Sequence, residues 1–362
     1  MISSGEKNPD MRYASKVSTP DDIIWFQSDT VKGIIASPLE FDRLKAGKRC
    51  DTVVFPTDEF NGPHYLDILK CLAGRYRLDG FLVPEDFPLF MADRLRENGL
   101  RIEAVEEGFF PEREFKTLDE VEKITSSLRA AESGCCRAIE ILRESSVDGA
   151  GQLVWNKEVL TSEILRSEID CTMLRQGCLP TGTICAGAAQ GAQPHNQGSG
   201  PLYANTPIVM DIFPKSSVTG YWGDLTRTVV KGRAQDVVKR AFDAVFEARE
   251  LAKSMLKIGA DPAEIHNAAA ASMEKRGFCT GVSEAGNYGF FHGLGHGVGL
   301  DIHEAPRLSP RNSQVLKGGE VVTIEPGLYY PEWGGIRLED MAYISPDGNV
   351  EILTEIETFL EL

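Results

Sequence analysis

No CxxC pair, no GxGxxG or GxxxxGKS/T loop and no apolar stretch of 18 residues occurs in this chain of 362 residues. Each absence closes a class. Without a glycine-rich loop ahead of a helix there is no cradle for phosphates, so nucleotide binding lacks support. Without a long apolar run, no membrane-spanning helix is expected. The start, Met1 to Lys16, is polar and has no apolar segment before a small-residue cleavage site, so no secretory leader is expected. Basic charge is also short, with 38 Lys and Arg against 54 Asp and Glu for a formal net charge of −16. That balance excludes nucleic acid or an anionic membrane as the main partner, since either needs a basic face. The eight cysteines (Cys50, Cys71, Cys135, Cys136, Cys171, Cys178, Cys185, Cys279) are scattered, unlike a disulfide framework or zinc ribbon. The expectation is a reduced, soluble, cytoplasmic protein.

The length exceeds one ordinary domain and predicts two. Up to about Glu114, short apolar runs at Ile23–Phe26, Gly33–Ala36 and Thr52–Phe55 alternate with helical spacing at Tyr65–Leu72 and Pro88–Glu97. This predicts a small α/β domain. The pattern breaks at Gly108–Pro111, and Thr117-Leu118-Asp119-Glu120 then forms a capping-box signature for a helix reaching about Glu144. The boundary is placed just before it, giving domains 1–115 and 116–362.

Further helices are expected over Ser162–Gln176, ending at Gly177, and over Asp236–Ile258. The latter puts Val238, Ala241, Phe242, Val245, Ala248, Ala252 and Met255 on one face. Asp261-Pro262-Ala263-Glu264 opens another, with Glu264 completing the cap. Strands are expected at Pro207–Phe213, Tyr221–Lys231, Val321–Glu325 and Ile336–Ile344.

Those strands carry unusual polar residues. Asp211 lies in Ile208-Val209-Met210-Asp211-Ile212-Phe213, Asp224 precedes Leu225-Thr226-Arg227-Thr228, Glu325 ends Val321-Val322-Thr323-Ile324, and Glu339 follows Ile336-Arg337-Leu338. Any one of them alone reads first as a surface acid on a half-exposed strand. Four together point to a shared site, because a carboxylate in an apolar run is costly to bury unless paired or metal-bound. His292, His296 and His303, three of the six histidines, fall within twelve residues on a glycine-dense backbone that permits tight turns and close approach of ligands. His303-Glu304 does not open a zincin helix, because Arg307 stands where a second histidine would be needed. Four carboxylates and an imidazole suit two divalent cations, with oxygen-rich ligands favouring manganese and the imidazole admitting cobalt, iron or zinc. Such a pair acidifies a bridging water and polarises a carbonyl, so metal-assisted hydrolysis is the chemistry expected.

Asp211, Asp224-Leu225-Thr226-Arg227-Thr228, the His292, His296 and His303-Glu304 run, Thr323-Ile324-Glu325-Pro326-Gly327-Leu328-Tyr329 and Arg337-Leu338-Glu339-Asp340 resemble the Xaa-Pro metallopeptidase family of aminopeptidase P and prolidase. The resemblance implies an α/β (α+β) architecture: a C-terminal pita-bread metallopeptidase domain after a smaller creatinase-like α/β domain. It implies two divalent ions per chain held by Asp211, Asp224, His296, Glu325 and Glu339, with Asp224 and Glu339 bridging and Glu325 also shuttling a proton for a metal-bridging hydroxide nucleophile. His292 and His303 would bind the substrate and the developing oxyanion. His195 would line the substrate pocket, Arg307 would take the free carboxylate of a dipeptide, and Arg337 would orient a carboxylate ligand. It further implies short proline-containing peptides as substrates and a homodimer. His64 and His266 are left for ordinary surface or core roles.

One departure is visible. The family commonly has a glycine after the first aspartate and a shorter interval to the second. Here Ile212-Phe213-Pro214-Lys215 follows Asp211, so Lys215–Gly220 is expected to form a longer hairpin turn that reshapes the nearby pocket. Creatinase- or dimethylsulfoniopropionate-lyase-like chemistry would go with a lost or altered ligand set, yet all five ligand types are present. A catalytically inactive binding module would have lost ligands and gained charged extensions, and the chain shows neither.

Overall fold

The computed structural model describes residues 1–47, 51–60, 64–106, 108–284, 286–312 and 314–362; Cys50 lies outside them. The seven described cysteines are free. Among the described residues, no helix is long and apolar enough to cross a membrane. The chain forms two compact units, Met1–Arg113 and Glu114–Leu362.

In the first unit, Ile2–Ser3, Ile23–Gln27, Lys32–Ala36 and Thr52–Pro56 form one sheet in that order, antiparallel except for the last pair. Helices Tyr65–Tyr76 and Leu89–Glu97 and the parallel pair Gly80–Val83 and Arg101–Ala104 complete it. Ile24, Ile35, Leu72 and Leu95 lie in its apolar core. The expected strands and helices are all present: Ile23–Phe26 and Ile34–Ala36 are buried on both faces, Thr52–Pro56 is an edge strand with Val53 exposed, and the helices bury one stripe.

The second unit begins with helix Leu118–Glu144. Thr117 accepts from the Glu120 N–H, and the Glu120 carboxylate accepts from the Thr117 N–H at 2.9 Å, the full capping box. Helix Ser162–Arg175 packs beside it and stops before Gly177, which sits at φ +74°. Helix Asp236–Met255 buries Val238, Ala241, Phe242, Val245, Ala248 and Ala252, with Met255 half-buried. It ends short of Ile258, because Leu256 is extended and the Gly259 N–H bonds to the Leu316 carbonyl at 2.7 Å. In helix Pro262–Lys275, Asp261 caps by accepting from the Ala263 N–H, and Glu264 adds first-turn charge rather than the expected reciprocal bond.

Two antiparallel sheets position the polar residues. One orders Ile184–Gly187, Pro207–Ile212 and Leu225–Val230; the other orders Glu304–Leu308, Gly295–Gly297, Val321–Ile324, Asp340–Ile344 and Val350–Ile352. The strand expected over Tyr221–Lys231 starts only at Leu225. Before it, Gly223 passes so close to the Leu118–Glu144 helix that a Cβ there would stand 2.3 Å from the Leu128 nitrogen. The single strand expected over Ile336–Ile344 is two. Gly334–Arg337 pairs with Gly327–Tyr330, while Asp340–Ile344 joins the five-stranded sheet. The chain changes sheets at Glu339, whose N–H donates to the Thr226 carbonyl at 3.0 Å. Lys215–Ser216 pairs with Cys178–Leu179, and the turn beyond closes with the Ser216 N–H on the Tyr221 carbonyl, so the longer interval is absorbed at the hairpin tip.

Candidate metal centre

Asp211 sits near the end of the central strand of the three-stranded sheet, in register with Thr226. Asp224 lies two residues before Thr226 and shares its face. Glu339 stands at the switch between sheets, Glu325 follows directly on the Val321–Ile324 strand, and His296 is the middle residue of Gly295–Gly297. The glycines flanking His296 serve strand proximity rather than tight turns. A Cβ at Gly295 would stand 2.0 Å from the Thr323 carbonyl oxygen, and one at Gly297 would stand 2.1 Å from that of Ala305.

One ligand atom each of Asp224, His296 and Glu339 lie within 4.8 Å of one another, and all three residues are buried. His296 Nε2 is 3.6 Å from Asp224 Oδ2 and 3.4 Å from Glu325 Oε1. The Thr226 hydroxyl lies between acids, 2.8 Å from Asp211 Oδ1 and 3.0 Å from Glu339 Oε2. Arg337 donates to Asp211 Oδ2 at 2.7 Å, to the Tyr329 hydroxyl at 2.9 Å and to the Thr226 hydroxyl at 3.2 Å. His292 Nε2 meets the same Tyr329 hydroxyl at 3.0 Å.

Burial, followed by the charges of neighbouring acids, holds the Asp224 and Glu339 carboxyls well above the usual range. Burial pushes Glu325 to about 8 against the opposing pull of Arg337. His296 falls to about 3, through burial and then the nearby His303, and His292 falls to about 3 through burial and then Arg337. Both imidazoles are therefore neutral, the form that binds metal.

The donor set fits divalent cations. Glu339 Oε1 is buried without a hydrogen-bond partner, and a carboxylate oxygen in that state calls for a cation. Asp211, Asp224, Glu325 and Glu339 bring four carboxyls together, and Arg337 is the cation paired with Asp211. All ten residues expected to carry chemistry line one cavity of about 1030 Å³, and of the ten His195, His303 and Arg307 are exposed. The His303 ring stands perpendicular to that of His296, with centroids 4.4 Å apart. Sequence reasoning missed Thr226 and Tyr329, whose hydroxyls tie Arg337 to the acids and to His292. It also set aside His266, which lines the cavity. The signal for Thr226 was its position two residues after Asp224.

Residues 122–346 match metallopeptidase family M24. The chain belongs to that family. It is 32% identical over 239 residues to an Xaa-Pro dipeptidase of Pyrococcus furiosus (65% of this chain, 62% of the relative). It is 33% identical over 217 residues to an uncharacterized peptidase of Bacillus subtilis (58% of this chain, 59% of the relative). The chain thus spans about three fifths of the length of these relatives. In structure it is similar to prolidase from Pyrococcus furiosus, with a TM-score of 0.80, 25% identity, and 97% of this chain and 95% of that one covered. The fold is also that of an X-Pro aminopeptidase from Thermotoga maritima, with a TM-score of 0.82 at 23% identity, covering 100% and 97%. The fold expected from the motifs, an α/β pita-bread domain after a smaller creatinase-like domain, is the fold observed.

Proposed function

We propose that this chain hydrolyses the Xaa-Pro bond of short peptides, as a dipeptidase or aminopeptidase of the M24 type. The carrying observation is the cluster of four carboxyls and a neutral imidazole, buried at Asp224, His296 and Glu339 and with Glu339 Oε1 unpaired, that lines a cavity of about 1030 Å³. The name of the Pyrococcus furiosus relative supports the substrate class.

In this reading Asp211, Asp224, His296, Glu325 and Glu339 hold two divalent cations. Bound there, the ions acidify water and polarise the scissile carbonyl. The chain's own residues do the rest. Glu325, beside the reacting centre, holds and returns the proton between attacking water and leaving nitrogen. His292, fixed by Tyr329, and His303 donate to the substrate and its developing negative oxygen. His195 orients the peptide from the cavity wall, Arg307 takes a carboxylate, and Arg337 steadies Asp211. Manganese is the first choice of ion on oxygen-rich ligands, with cobalt, iron and zinc next. The same reading carries a catalytic part over 116–362, an accessory part over 1–115, a homodimer and a cytoplasmic location.

The test is turnover of Xaa-Pro dipeptides and Xaa-Pro-Yaa tripeptides after loading with manganese or cobalt, alongside metal analysis. The expectation is hydrolysis with about two equivalents bound per chain. No turnover of any Xaa-Pro peptide by metal-loaded protein would sink the reading.

A further inference from the structure

The proposed reaction occupies His195, His292, His296 and His303, and leaves His266 unused. His266 lies on helix Pro262–Lys275 among the buried Ile265, Ala269 and Met273, and is itself only 9% exposed. An apolar residue would fill that place without penalty. Instead Nδ1 is buried with no hydrogen-bond partner, while the ring lines the cavity that holds the candidate metal centre. With Nδ1 enclosed, the ring meets the cavity through its remaining edge, which carries Nε2. The ring is fixed by stacking on Phe290 at 5.1 Å and 29°. Phe290 in turn meets His292 edge-on at 5.1 Å. A rigid row of rings therefore runs from the reacting centre to His266. Nδ1 stays enclosed, so Nε2 is the ring nitrogen open to a molecule entering the cavity, on a ring whose orientation the stack already fixes.

Two ring steps of 5.1 Å each reach at most as far as about three residues of extended peptide at about 3.3–3.6 Å per residue. The cavity is also large for a dipeptide, standing at the top of the roughly 300–1,000 Å³ of ordinary ligand pockets. If Xaa is the amino-terminal residue, as the proposed function requires, a substrate can grow only past proline. We infer that His266 is a specificity-determining residue that hydrogen-bonds the backbone of the residue after proline, so that Xaa-Pro-Yaa peptides are favoured over Xaa-Pro dipeptides. The inference rests on the proposed Xaa-Pro reading and deepens it.

The experiment compares metal-loaded wild type, His266→Phe and His266→Gln on an Xaa-Pro dipeptide and the matching Xaa-Pro-Yaa tripeptide. Phe keeps the stack on Phe290 and removes the nitrogens; Gln restores an amide near Nε2. Calorimetric binding of the Pro-Yaa product, set against free proline, gives a readout apart from turnover. Wild type is expected to prefer the tripeptide. His266→Phe is expected to lose about tenfold in kcat/KM on the tripeptide through KM, the size of one hydrogen bond. Its dipeptide kcat/KM stays within about twofold, which also reports intact folding, and Pro-Yaa binding weakens by a factor like the tripeptide loss. His266→Gln recovers most of both losses. Equal losses on the two substrates, or a wild type indifferent to length, would overturn the role of His266 while leaving the peptidase reading standing. A wild type that cleaves neither peptide overturns the Xaa-Pro reading and this inference together.

Discussion

The Arg337 guanidinium lies 2.7 Å from the Asp211 carboxylate, with side chains only 4% and 14% exposed. This is a buried pair beside three further carboxyls, so removing the cation leaves an uncompensated charge. Arg337→Met is expected to destabilise the metal-free protein by about 3–5 kcal/mol and to cut activity at least tenfold. Arg337→Lys should not rescue it, because a single ammonium cannot span Asp211, the Tyr329 hydroxyl and the Thr226 hydroxyl as the guanidinium does. Denaturant midpoints and kcat/KM measure both effects. A lysine variant matching wild type in both would contradict the argument.

The acids of the cluster set a pH dependence that the cations should abolish. Without cations, Glu325 titrates near 8 against an ordinary 4.5, and Asp224 and Glu339 are also raised. Raised carboxyl values mean that the folded chain binds more protons than the unfolded chain between about pH 4.5 and 8. Stability of the metal-free protein therefore falls as pH rises through that window. Cations bind the ionised forms and release those protons. The Tm of manganese-loaded protein should exceed that of chelator-treated protein by a margin that widens from pH 5 to pH 8. A margin that stays flat or narrows would count against a shared cation site.

Much of this is legible in the order of the amino acids. The Thr117 to Glu120 box marks where the long helix starts, because capping chemistry is local. The four candidate acids stand out because acids in apolar strands have few cheap explanations, and His296 stands out through its place in a glycine-dense run of histidines. What escapes is tertiary. Thr226 reads as an ordinary strand former, and only the pairing of its strand with that of Asp211 puts its hydroxyl between two acids. The sheet change at Glu339 depends on a bond to the Thr226 carbonyl, which no pattern within 336–344 announces. His266 continues an apolar helix face, and its unpaired nitrogen appears only once Phe290 is stacked on it.

A hydroxyl carries one proton, yet Thr226 touches Asp211 and Glu339 at 2.8 and 3.0 Å. It can donate to one ionised carboxylate at a time, while Arg337 donates to its oxygen. Its role is to fix two acids at a separation a cation can bridge. Thr226→Val keeps the shape and removes the hydroxyl. Metal affinity is expected to fall about 10–100-fold, as when a partner that orients a metal ligand is removed, with a smaller change in stability. Calorimetric titration with manganese measures it, and unchanged affinity would refute the role.

Adjacent acids Glu339 and Asp340 should respond oppositely to the same kind of change. Glu339 faces the cluster with Oε1 unpaired, whereas Asp340 points to the other side and accepts from Arg227 at 2.8 Å. Burial would raise Asp340, but Arg227, Arg249 and Lys253 outweigh it and hold the carboxyl below its usual range. A depressed value means stability that is present above the unfolded pKa and lost as pH falls through the folded one. Asp340→Ala leaves Arg227 and Arg249, each 3% exposed, without this partner. It is expected to cost about 3–5 kcal/mol and to flatten the acid limb of the stability profile. The folded fraction should still bind metal as wild type does. Glu339→Gln should do the reverse: it relieves repulsion among the acids, leaves the metal-free protein as stable or more so at pH 8, and loses metal. Metal content and denaturation of the two variants, measured side by side, decide the matter. A loss of metal in Asp340→Ala with Glu339→Gln still loaded would invert the assignment of these two neighbours.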